Sequence, residues 1–140
     1  MKSSFIVFIR WNLFPIFWSL FILVLCGLPG SDFPDAIKWK LLSFDKFVHA
    51  FLFLVLVLLS IKGLKIQPAF KTLRYNSIKL ALGYAFFLSI ITEVLQDQLF
   101  IERNADVYDV IANLSGSILG LITFYVIYGK ENTFRFSSNE

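Results

Sequence analysis

Three short runs of this sequence carry side chains that could do chemistry. They are Asp45-Lys46-x-x-His49, Glu93-x-x-Gln96, and a run holding Arg103, Asp106, Asp109 and Asn113. Asp45 and His49 are four residues apart and share one face of a helix, where a carboxylate can orient the proton of the chain's only histidine. Asp45, His49, Glu93 and Asp109 are the candidate catalytic groups, since acid–base work asks only for an imidazole and a carboxylate within reach of a substrate. Lys46, Gln96, Arg103, Asp106 and Asn113 are candidate binding groups. Arg103 offers a planar fork and Lys46 a point charge, a pair suited to the phosphate or carboxylate of an anionic lipid-linked substrate. His49 with Glu93, Asp106 or Asp109 could instead ligate Zn²⁺ or Mn²⁺. No metal-ligand spacing occurs within one helix, and one histidine and one cysteine leave few soft ligands, so no metal and no other cofactor is expected. The competing reading is structural: Lys46 and Arg103 neutralise Asp45, Glu93 and Asp109 and so fix helix register.

These groups sit in a chain of 140 residues that is 57% hydrophobic and 16% charged. A soluble domain carries about 25% charged residues, so this composition cannot solvate a globule. The expectation is an all-α integral membrane protein, a four-helix bundle forming a single domain over residues 1–140, with the lipid bilayer as its first partner. Four continuous apolar runs give spans at about 8–28, 44–61, 77–96 and 107–128, unlike the short alternating strands of an outer-membrane barrel. Arg10 can snorkel and Trp11 can sit in the aromatic belt, while Pro15 lies near the start of the first helix, where its missing N–H costs little. Residues 36–44 mix Lys38 and Lys40 with Trp39 and leucines, as a separate segment lying on the membrane surface would.

The sole cysteine, Cys26, follows Leu25, which is too large for a lipoprotein signal, and no small-x-small cleavage site follows the first run. That run reads as a retained anchor. Net charge is +3, but no basic stripe interleaves with polar faces, so nucleic acid is not an expected partner. Nine of the 13 basic residues fall on one side of the membrane in this topology, including Lys62, Lys65, Lys71, Arg74 and Lys79. The positive-inside rule then places both termini in the cytoplasm of a multi-pass plasma (inner) membrane protein. All three polar runs gather at the external face. The inner halves are nearly all apolar, which argues against a proton or solute path.

On the last helix, Asp106, Asp109, Asn113, Gly116 and Gly120 recur at steps of three and four and form one stripe. Gly116-x-x-x-Gly120 lets a second helix approach closely, either within the chain or in an oligomer.

The polar runs together resemble the VanZ-like family, small membrane proteins associated with resistance to the glycopeptide teicoplanin. The resemblance rests on Asp45, Lys46 and His49, on Glu93 and Gln96, and on the run from Arg103 through Asp109 and Asn113 to Gly116 and Gly120. It covers roughly residues 20–125, with a Leu-Pro-Gly-Ser turn after the first helix. The family often has a proline shortly before the arginine, where this chain reads Phe100-Ile101-Glu102. The resemblance implies a role in the cell envelope and in antibiotic resistance, with a lipid-linked cell-wall precursor or a glycopeptide as partner. It supplies no reaction. A membrane-embedded acid–base hydrolase or transferase, with His49 and Glu93 as its acid–base pair, and a structural or assembly partner are the alternatives.

Overall fold

The structure is a computed structural model that describes residues 3–26, 35–99 and 106–129, with side chains described for 3–26, 44–98 and 106–129. Among the described residues every long element is a helix: α1 (Ser4–Cys26), α2 (Asp35–Ile66), α4 (Ser77–Leu99) and α5 (Val107–Tyr128), with the short α3 (Lys71–Tyr75) between α2 and α4. Among the described residues four stretches are long and apolar enough to cross a membrane, namely Ser4–Cys26, Phe44–Ile66, Ser77–Gln98 and Val107–Tyr128. Their outward faces carry Phe14, Phe17, Phe51, Phe87, Ile118 and Val126, all exposed. An apolar surface this continuous is a liability in water and the expected one in lipid.

Two local expectations are corrected. Residues 36–44 are not a separate surface segment. They are the first turns of α2, which runs unbroken for 32 residues, about 48 Å at the helical rise. Neither Pro nor Gly interrupts the sequence before Gly63, and one mid-helix glycine costs only about 1 kcal/mol, so nothing stops the helix at residue 61. It ends where Pro68 disfavours helical geometry in the residue before it. There the buried Gln67 side chain accepts from the Phe70 N–H (2.8 Å) and donates to the Phe70 carbonyl (2.7 Å). The guanidinium of Arg74 donates to the Gln67 carbonyl and completes the tied corner.

The second correction concerns Pro15, which lies well inside α1 because that helix already starts at Ser4. Its missing N–H releases the Trp11 carbonyl from the helical ladder. That carbonyl lies against Gly63 of α2, where a Cβ would come within 3.1 Å of it and within 2.7 Å of Asn12 Oδ1.

The core is centred on α2. Leu52, Phe53, Leu56, Val57 and Ile61 are buried against Ile22 of α1, Ala81, Ala85 and Leu88 of α4, and Phe124 of α5. Two polar ties cross this apolar interior. Trp18 Nε1 donates to the Leu52 carbonyl (2.9 Å), and the Tyr84 hydroxyl donates to Ser19 Oγ (2.7 Å), which donates on to the Pro15 carbonyl. Packing is tightest between α2 and α5. A Cβ on Gly116 would overlap the Ala50 carbonyl, and one on Gly120 would stand 2.5 Å from the Leu54 carbonyl. The two glycines and the two carbonyls they face are each four residues apart, so one glycine seam lies along one ridge of α2. The seam is therefore occupied by a helix of the same chain.

Candidate polar site where α2, α4 and α5 meet

Antiparallel neighbours bring the start of α2, the end of α4 and the start of α5 to one end of the bundle. Asp106 is the N-cap of α5. Its backbone is extended (φ −115°, ψ 117°), and its Oδ1 accepts from the Tyr108 N–H at 2.9 Å. Its other oxygen, Oδ2, accepts from Lys46 Nζ at 2.8 Å. Lys46 also donates to Asp109 Oδ1 at 3.0 Å and lies 5.4 Å from the centre of the Tyr108 ring. One ammonium thus joins the start of α2 to two carboxylates on the first turn of α5, where negative charge also suits the helix dipole. The ammonium of Lys46 and the N–H of Tyr108 hold the Asp106 carboxyl below the usual carboxylate range.

Deeper in, the polar groups are removed from water. His49 is 2% exposed and Asn113 is wholly buried. His49 Nδ1 lies 3.1 Å from Asn113 Oδ1, and Asn113 Nδ2 donates to Ser89 Oγ at 2.9 Å. With its nitrogen committed to Ser89, Asn113 presents a carbonyl oxygen to the imidazole. Nδ1 therefore carries a proton, and in the neutral ring the lone pair then lies on Nε2. This chain ties α2, α5 and α4 together through one side chain from each. The Ser117 hydroxyl donates to the Asn113 carbonyl (2.8 Å) and steadies the same turn of α5.

Glu93, 5% exposed, reaches α5 by accepting from the Asp106 N–H through Oε2 at 3.2 Å. Its second oxygen, Oε1, is buried with no hydrogen-bond partner among the described residues. Asp45, His49 and Asp109 also each offer a ligand-type atom, and these atoms lie within 4.8 Å of one another.

The structure thus brings together Asp45, Lys46, His49, Glu93, Asp106, Asp109 and Asn113 from all three sequence runs. Gln96 is placed otherwise. It is buried at the end of α4, and its Nε2 donates to the Cys26 carbonyl at 3.0 Å, so it satisfies one of the open carbonyls at the end of α1. Arg103 lies outside the described residues. Gly116 and Gly120 belong to the packing seam below the site. Ser89 joins them from outside the three motifs, on the face of α4 that the sequence gives it with Glu93 and Gln96. It lies four residues before Glu93 and seven before Gln96.

Chemically, the arrangement offers an imidazole nitrogen with a defined lone pair, one unsatisfied carboxylate oxygen and a cation held between two acids. A search of the curated proteins and one of the solved structures each returned no match. The family model described as VanZ/LLP1 matches residues 3–128, a stretch that includes every helix described above, and the chain belongs to that family.

Proposed function

We propose that this protein works in the cell envelope from the plasma membrane, lowering sensitivity to the glycopeptide teicoplanin through the polar cluster at the external end of its bundle. The observation that carries this reading is the joining of residues 45–49, 89–93 and 106–113 into one set spanning three helices. Buried polar groups at membrane depth cost several kcal/mol unless paired, and such groups are functional candidates for that reason. The teicoplanin association rests on the likeness to VanZ-like proteins, and the external placement on the distribution of basic residues. Deletion in the native host is expected to lower the inhibitory concentration of teicoplanin, and expression from a plasmid to restore it. Unchanged susceptibility and envelope composition in both strains would remove this function.

A second reading is a membrane-embedded acid–base hydrolase or transferase acting on a lipid-linked envelope precursor. It is favoured by the lone pair left on His49 Nε2 and by the unpartnered Glu93 Oε1, a base and a proton carrier at one end of the bundle. It expects His49→Ala and Glu93→Gln to abolish turnover of the precursor in proteins that still insert. Full turnover by both variants would eliminate it.

A further inference from the structure

The end of the bundle opposite the polar cluster carries the contrary charge. The acids among the described residues, Asp35, Asp45, Glu93, Asp97, Asp106 and Asp109, all belong to the cluster end. At the other end Arg10 of α1, Lys62 of α2, Lys71 of α3 and Lys79 of α4 are exposed. No carboxylate among the described residues pairs with any of the four. Contacts between the helices put three of them at nearly one level. Gly63, next to Lys62, lies against Trp11 and Asn12, next to Arg10. Lys62 Nζ also stands 5.9 Å from the centre of the Tyr128 ring at the end of α5. Tyr84 of α4 bonds Ser19 of α1, and counting back along these two helices puts Lys79 within about 6 Å of the level of Arg10. Lys71 lies further out, on α3, where Phe70 packs edge-on against Phe8 with ring centres 5.6 Å apart.

The surroundings of these cations say what kind of counter-charge they meet. Phe70 and Tyr75, at either end of α3, are exposed, and so is Trp11 beside Arg10. Aromatic rings among long basic side chains, at the edge of an apolar surface, belong at the headgroup level of a bilayer. The corner that carries Lys71 is also tied. The Gln67 side chain holds both backbone groups of Phe70, and Arg74 holds the Gln67 carbonyl, so α3 has a fixed place beside the ends of α2 and α4. A soluble acidic partner would have to descend to cations standing on the membrane-crossing helices themselves, whereas a lipid phosphate already lies at that depth. We propose that this end of the bundle is a docking surface for anionic phospholipids. Their phosphate oxygens accept from Arg10, Lys62, Lys71 and Lys79, and their acyl chains lie along the apolar outer faces of the helices. Arg10 offers phosphate a planar fork and the lysines offer it point charges. Charge complementarity with an anionic leaflet selects the partner, and the spread of the four cations over four helices lets lipids bind around the bundle end.

The test uses the full chain, purified in detergent, freed of bound lipid, and titrated with phosphatidylglycerol or with phosphatidylcholine of the same acyl chains. Bound lipid is counted by native mass spectrometry. The anionic lipid is expected to bind about ten-fold more tightly or better, and added salt should narrow the difference. One basic residue at an anionic surface is worth about five-fold in affinity. Lys62→Gln, Lys71→Gln and Lys79→Gln should therefore each lower the preference by up to that factor, and the three together should remove most of it. Arginine at the same three positions should keep the preference, which separates charge from folding. Thr72→Gln, exposed and uncharged on α3, should leave it unchanged. Equal binding of the two lipids overturns the proposal, as does a preference that the triple glutamine variant retains in full. Tighter binding of soluble polyglutamate than of phosphatidylglycerol would assign the cations to an acidic protein and overturn it as well.

Discussion

Asn113 is the residue on which the interior of the site turns. It spends its carbonyl oxygen on His49 and its amide nitrogen on Ser89, with all three groups buried. Asn113→Ala strands both partners. Each orphaned group costs about 1–3 kcal/mol, so a loss of roughly 2–5 kcal/mol is expected in detergent unfolding titrations. Ser89→Ala added to Asn113→Ala should cost little more, because the bond is already gone; additive losses would show that the two do not interact. At the rim, Asp106 gives a pH dependence whose sign is fixed. Its folded carboxyl lies below the ordinary value of 3.8, so the folded state binds fewer protons than the unfolded one near that pH. Its contribution is complete above the ordinary value and is lost as pH falls through the lowered one. Unfolding followed between about pH 5 and pH 2 should show this acid sensitivity, and Lys46→Met should reduce it.

At the scale of the element, the seam between α2 and α5 holds the site together. Gly116 and Gly120 meet backbone carbonyls, which cannot move aside as a side chain would. Gly116→Ala and Gly120→Ala should each destabilise the protein by about 1–3 kcal/mol or more through overpacking. Gly83 of α4 has nothing within 4 Å of an added Cβ. Gly83→Ala should therefore be neutral or stabilising by up to about 1 kcal/mol, through helix propensity alone. A loss of equal size at all three positions would argue against the seam. The stripe of Asp106, Asp109, Asn113, Gly116 and Gly120 was legible in the sequence because helical periodicity alone places these residues together. The partner of that stripe was not. Nothing about Ala50 or Leu54 marks them as the surface that a glycine meets, since what the seam contacts is their backbone. The length of α2 was misread for a related reason: Lys38 and Lys40 suggested a surface segment, whereas continuity depends on the absence of any breaker. Gln96 looked like a binding group because a buried amide in a polar run carries no sign of which carbonyl it will meet.

For the molecule as a whole, four membrane-crossing stretches could be read from composition and run length, because lipid imposes a simpler rule than water does. Orientation rests on the basic residues alone and can be checked directly. In a Cys26→Ser background, Asp97→Cys should be labelled by an impermeant thiol reagent in intact cells, and Asn76→Cys only after permeabilisation; both positions are exposed. The reverse pattern would invert the bundle and move the cluster to the cytoplasmic side. Convergence of His49, Glu93 and Asp109 could be expected from topology, but the pairing of Lys46 with Asp106 and Asp109 and the open valence on Glu93 depend on helix rotation and depth. Those distances decide whether the end of the bundle is a neutralised strut or a site with work left to do. The most direct measurement is the inhibitory concentration of teicoplanin in a native-host deletion strain complemented with unsubstituted protein or with Glu93→Gln, at matched membrane levels. Glu93→Gln keeps the acceptor for the Asp106 N–H and the side-chain shape while removing the charge. The account predicts that it fails to restore resistance while inserting normally. Full restoration by Glu93→Gln would contradict it.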